Sequence, residues 1–160
     1  MPVIYSQRIR NFFPDDCALD QVRNSNRACK VRLNGFPPER IVISMDRAMK
    51  SGDLGRRGDY AVVADEITQG ETFFIPMEVK SKSLKGKQVT EQIEGVITFF
   101  QKHLPANCKI YPLLVTESLR SSARNQLPKI SVQSFKGKLR IKHLACGDDL
   151  EWKVIKEEAR

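Results

Sequence analysis

Two acidic residues and a lysine carry the chemistry open to this chain. Asp59 opens a strand-like run, Asp59-Tyr60-Ala61-Val62-Val63-Ala64-Asp65, and Glu78-Val79-Lys80 closes another that begins at Phe73. The two-residue period of a β-strand puts Glu78 and Lys80 on one face and turns Val79 to the other. Antiparallel pairing of the two runs across the polar turn at Gln69-Gly70-Glu71 brings Asp59 beside Glu78. Clustered carboxylates suit a hard divalent cation, because Mg²⁺ takes oxygen ligands and is commonly held by one or two carboxylates, waters and substrate phosphates. A lysine beside such a cation can hold or polarise an attacking water. The bland alternative is that Glu78 and Lys80 simply pair on an exposed strand, which contributes little to stability.

Four further segments must position these residues. Arg40-Ile41-Val42-Ile43-Ser44-Met45 is a compact β-branched run that reads as the first strand, set off by the turn Asn34-Gly35-Phe36-Pro37-Pro38. Val89, Ile93, Val96, Ile97, Phe100 and Leu104 recur at three- and four-residue intervals, which predicts an amphipathic helix packed on a sheet and ended by Pro105. Gln92 lies at the border of its apolar stripe, where it either turns towards the carboxylates or meets solvent; Gln88, one turn earlier, competes for the same role. Lys109 to Thr116 reads as a strand after that helix, so strand, helix and strand form a parallel crossover, with Pro112 marking an edge or bulge.

Asp59, Glu78-x-Lys80 and a Gln in the next helix together resemble the PD-(D/E)XK nuclease superfamily, the restriction-endonuclease-like enzymes, over roughly Arg40 to Thr116. Glu-x-Lys alone is nearly uninformative; the apolar hairpin that separates it from Asp59 and the Gln-bearing helix after it give the pattern its weight. Gly58, not Pro, precedes Asp59, and an acidic residue from a first helix has no clear counterpart, Asp20 and Asp46 being the nearest candidates. The resemblance implies an α/β fold, a mixed β-sheet flanked by helices. It also implies that Asp59, Glu78 and the carbonyl of Val79 hold Mg²⁺ (or Mn²⁺ in its place), that Lys80 orients or helps deprotonate water, and that Gln92 supports it.

The whole chain agrees with a polyanionic partner. Its 160 residues suit one domain able to bury about two-thirds of its unfolded surface. Twenty-seven Lys and Arg against 19 Asp and Glu leave a net charge of +8, a field that attracts polyanions in a salt-dependent way. Arg56 and Arg57, in the Gly-rich loop before Asp59, and Lys82, Lys85 and Lys87, after Lys80, are the candidate phosphate-binding residues. A solvated basic surface is the competing reading.

No run approaches the ~18 apolar residues of a membrane span, and no signal peptide is legible. Cys17, Cys29, Cys108 and Cys146 form no Cys-x-x-Cys, so the expectation is reduced thiols in a cytoplasmic protein. His103-x4-Cys108 with His143-x2-Cys146 offers four possible zinc ligands, against the simpler reading of buried thiols beside strands.

At the N-terminus, Met1 to Pro14 reads equally as an edge strand, an arm or a dimer contact. A helix capped by Asp15 or Asp16 is expected to follow, with Leu19 and Val22 on one face. At the C-terminus, Ile130 to Phe135 and Leu139 to Leu144 predict a peripheral hairpin about Lys136-Gly137-Lys138, and Asp148 to Arg160 a closing strand or short helix. The expected activity is Mg²⁺-dependent phosphodiester hydrolysis, DNA being the first substrate to consider, with a homodimer or partner subunit to reach both strands. The alternative is a non-catalytic nucleic-acid-binding or assembly module on the same fold.

Overall fold

The computed structural model describes residues 3–13, 18–19, 22–23, 29–45, 59–80, 86–117 and 130–160. Its centre is the hairpin of β5 (Tyr60–Glu66) and β6 (Glu71–Lys80), turned by a single 3₁₀ turn, Ile67–Gln69, and by Gly70 at φ 66°. That left-handed conformation is one glycine adopts without steric cost. On the β5 side the sheet continues antiparallel through β4 (Arg40–Ser44) to the two-residue β1 (Ala18–Leu19). On the β6 side it turns parallel, through β7 (Lys109–Ile110) and β8 (Leu113–Thr116) to β11 (Lys142–Ala145). The protein is therefore mixed α/β. The run from Lys109 to Thr116 is interrupted at Tyr111 and Pro112, because proline has no N–H to give a ladder.

Both faces of the sheet are covered, which explains the nearly uninterrupted apolar runs of β4, β5 and β6. Ile41, Ile43, Ala61, Val63, Phe74 and Leu114 face one way, onto α1 (Tyr5–Phe12) and α2 (Gly86–Phe100). Val42, Val62, Ile75, Met77, Leu113 and Val115 face the other, with Trp152 and Ile155 of α3 (Trp152–Glu158) and Val31 of β3 (Lys30–Asn34). The latter strand pairs antiparallel with β2 (Val22–Arg23) and parallel with β12 (Asp149–Glu151). The hairpin of β9 (Ser131–Ser134) and β10 (Gly137–Arg140) is a separate two-stranded unit packed on α2.

Three expectations need correction. After Asp15 and Asp16, where a helix is expected, the described residues are strand: residues 18–19 pair with Ile43 and Val42, and residues 22–23 with Val31 and Lys30. Two apolar positions three apart were too short a pattern to outweigh an open sheet edge that needs a partner. The helix lies earlier, at Tyr5–Phe12, where Ile9 is fully buried. The C-terminal run is not wholly peripheral either, since 142–145 leaves the hairpin and becomes the parallel edge of the main sheet.

The third correction concerns the thiols. Cys29 and Cys146 form a disulfide with Cα atoms 5.0 Å apart, closing 117 residues of sequence. Closing so long a loop restricts the unfolded chain and is worth on the order of 4–5 kcal/mol. Cys108 is the one free thiol among the described residues; Cys17 lies outside them. No helix among the described residues is long and apolar enough to cross a membrane. The premise of reduced thiols, from which a cytoplasmic location was expected, does not hold for Cys29 and Cys146.

Candidate active site

The candidate site forms where the β5–β6 hairpin opens. The register pairs Tyr60 with Met77, so the next step outward sets Asp59 opposite Glu78. The backbone fixes this step: Asp59 N–H donates to the Met77 carbonyl at 2.9 Å, and Met45 N–H donates to the Asp59 carbonyl at 2.9 Å. The Asp59 side chain is held too, because its Oδ2 accepts the Val79 N–H at 2.8 Å. Alternation along β6 gives Glu78 and Lys80 the face of Phe74, and alternation along β5 gives Asp59 the face of Ala61 and Val63. All three candidate side chains therefore emerge on the α1/α2 face.

Glu78 is only 2% exposed. Burial pushes its carboxyl up to about 8, the charge and hydrogen bonding of Asp59 push the same way, and the Lys80 ammonium opposes them. Lys80 Nζ lies 3.4 Å from Glu78 Oε1, with the lysine side chain 21% exposed. Glu78 Oε2 is buried without a hydrogen-bond partner among the described residues. An unsatisfied buried polar atom costs on the order of 1–3 kcal/mol, so a fold keeps one only where something else compensates. The site combines a proton held near neutral pH, a second carboxylate alongside and a lysine at its mouth.

These residues fit a divalent cation. Bound between Asp59 and Glu78, it would satisfy Oε2 and replace the mutual repulsion of two carboxylates by attraction to both. No group of three or more His, Cys, Asp or Glu side chains gathers among the described residues. The remaining ligands of a hard octahedral ion would then be backbone carbonyl, water and substrate oxygens.

Gln92 sits on α2, between the fully buried Val89 and Val96 in the i−3 and i+4 positions. Its Oε1 is buried without a partner among the described residues, so the amide does not simply meet solvent. Lys87, one residue into α2, is exposed. Arg56, Arg57, Lys82 and Lys85 lie outside the described residues, as do Asp20 and Asp46.

The four possible zinc ligands are not brought together. His103 packs among Phe12, Phe13 and Phe100, and burial lowers its pKa. Cys108 is fully buried, which pushes its thiol up to about 12 and makes it inert. Cys146 is consumed by its disulfide.

The sequence offers His143 only as a possible zinc ligand and gives Thr116 no role, yet both lie near the site. Thr116 stands opposite Lys80 across the parallel β6–β8 ladder and is 2% exposed; its Oγ1 lies 2.7 Å from His143 Nε2. A parallel register leaves no trace in local sequence, so no signal could have placed them there. Comparison with protein-family models, curated proteins and solved structures finds no match to this chain.

Proposed function

We propose that the chain is a divalent-cation-dependent nuclease with a restriction-endonuclease-like fold, hydrolysing phosphodiester bonds, with DNA as the favoured substrate. The observation that carries this reading is the pairing of Asp59 with Glu78, whose carboxyl is buried, raised to about 8 and left with one oxygen unsatisfied among the described residues, beside Lys80. Perturbed acids in such a setting cluster at functional sites. Asp59 and Glu78 would hold Mg²⁺ or Mn²⁺ with the carbonyl of Val79. When bound, the cation supplies charge that stabilises a phosphate under attack and lowers the pKa of a coordinated water.

The chain's own residues do the rest. Asp59 is pre-aimed by the Val79 N–H, so little ordering remains when the cation binds. Glu78 must release its proton to become a ligand, which ties cation affinity to pH. Lys80, partly exposed beside Glu78, can orient the attacking water and stabilise the negative charge that develops on it. Gln92 offers a carbonyl oxygen unsatisfied among the described residues, from the helix that packs on this face. The net charge of +8 draws in a polyanion, with Lys87 placed at the start of α2 to meet it.

The test is incubation of the purified protein with labelled single-stranded, duplex and branched DNA, with Mg²⁺, Mn²⁺ or chelator, alongside Glu78→Ala. Cation-dependent cutting that is lost in the variant is the expected result and identifies the substrate. Binding without cutting under every condition would overturn the nuclease reading in favour of a non-catalytic nucleic-acid-binding module.

A further inference from the structure

We propose that His143, held by Thr116, is a second contact for the substrate backbone, extending the site across two strands beyond Glu78. The inference rests on the nucleic-acid reading of that site and adds a residue to it. Its basis is the register. Glu78 pairs with Leu114 and Leu114 with His143, while Lys80 pairs with Thr116 and Thr116 with Ala145. Parallel partners at the same register share a face of the sheet, so two rows run across it, Glu78, Leu114, His143 and Lys80, Thr116, Ala145.

Burial on the two faces confirms the alternation. Leu114 belongs to the core on the α1/α2 side, whereas Leu113, Val115, Leu144 and Cys146 pack on the opposite side. The step from His143 to Cys146 thus separates the residues the sequence offered as joint zinc ligands. Cys146 lies towards its disulfide, and His143 lies in the row of Glu78. Two strand spacings of about 4.8 Å put the Cα atoms of Glu78 and His143 roughly 10 Å apart. A backbone whose scissile phosphate sits at Glu78 and Lys80 therefore passes within reach of the imidazole.

The imidazole is suited to that contact. His143 is exposed, but its Nε2 is tied at 2.7 Å to a threonine hydroxyl that is 2% exposed. A buried hydroxyl bound to an exposed ring fixes the ring's orientation, so less rotamer entropy is lost when a phosphate oxygen is engaged. Thr116 is accordingly a positioning residue for His143. Phosphate contacts of this kind set the register of the backbone without reading bases.

The experiment is anisotropy of labelled single-stranded and duplex DNA oligonucleotides with the full chain, in chelator and at fixed low salt, so that binding is read without turnover. His143→Ala is expected to weaken Kd roughly three- to tenfold, read well below the melting temperature of every variant. His143→Gln, which keeps a donor and an acceptor, should recover part of the loss. Thr116→Val should weaken binding in the same direction, with Thr116→Ser restoring it, and should add no further loss in the His143→Ala background, where a hydroxyl acting independently of the imidazole would. These shifts support the inference even if the protein never cuts DNA. Unchanged Kd in His143→Ala overturns it while leaving a cation-dependent nuclease intact, and absence of wild-type binding to either oligonucleotide overturns both.

Discussion

Asp65 and Glu78 are buried carboxylates at opposite ends of the same two strands, and they are treated differently. Asp65, 3% exposed, sits opposite Thr72 near the turn of the β5–β6 hairpin. One of its oxygens accepts the Thr72 hydroxyl at 2.7 Å and the other accepts the Ser6 N–H at 2.7 Å, so it satisfies one of the unpaired amides at the start of α1. Glu78, at the open end, keeps one oxygen without a partner among the described residues and faces a second carboxylate. The first arrangement stabilises the fold. The second opposes it.

Substitution tells the two carboxylates apart. The largest effect belongs to the open end: Asp59→Ala and Lys80→Ala should each lower cleavage by about a thousandfold or more with the melting temperature nearly unchanged. Full activity in both purified variants would sink the assignment.

Glu78→Gln tests the cost of the site. The folded value of Glu78, about 8, lies above its ordinary 4.5. Its contribution to stability is therefore fully present below about pH 4.5 and is lost as pH rises through about 8, a span worth roughly 4–5 kcal/mol. Denaturant titrations of the cation-free protein should show the wild type weakening over this interval and Glu78→Gln much less. For the same reason the shift in melting temperature that Mg²⁺ or Mn²⁺ induces should grow with pH. Apparent affinity should fall about tenfold per pH unit below 8, and the shift should vanish in the variant. A wild-type stability profile flat from pH 5 to 8.5 would contradict the raised carboxyl.

At the closed end, Asp65→Ala leaves the Thr72 hydroxyl and the Ser6 N–H without their acceptor. It should cost about 2–3 kcal/mol by denaturant titration, with activity per folded molecule within about twofold of wild type. Loss of activity greater than loss of folded protein would mean that this carboxylate, too, serves the reaction. The smallest effect is expected of Gln92→Ala, about tenfold in kcat, the equivalent of one hydrogen bond in the transition state. An unchanged kcat would leave its buried amide oxygen a purely structural feature.

Much of the centre of the fold was legible because its signals are local. The β5–β6 hairpin follows from two apolar runs joined at Gly70, and α2 follows from the spacing of Val89, Ile93, Val96 and Phe100. Asp59 could be set beside Glu78 because an antiparallel hairpin makes its register a matter of counting from the turn. The edges were not legible in the same way. Ala18 and Leu19 are strand only because the outer edge of β4 offers unpaired amides, and 142–145 joins the sheet through a parallel pairing with β8 that no local pattern encodes.

The residue types, the strand periodicity and the hairpin that put Asp59, Glu78 and Lys80 on one ledge follow from the order of residues alone, as does the net positive charge of the chain. Only the tertiary structure decided that Glu78 is buried deeply enough to hold its proton to about pH 8, that Cys29 meets Cys146 across 117 residues, and that His143 reaches the row of Glu78. Each of these depends on which distant segments share a neighbourhood. Burial, disulfide pairing and parallel register are properties of contacts far apart in the chain, and the order of residues specifies them only through the whole fold.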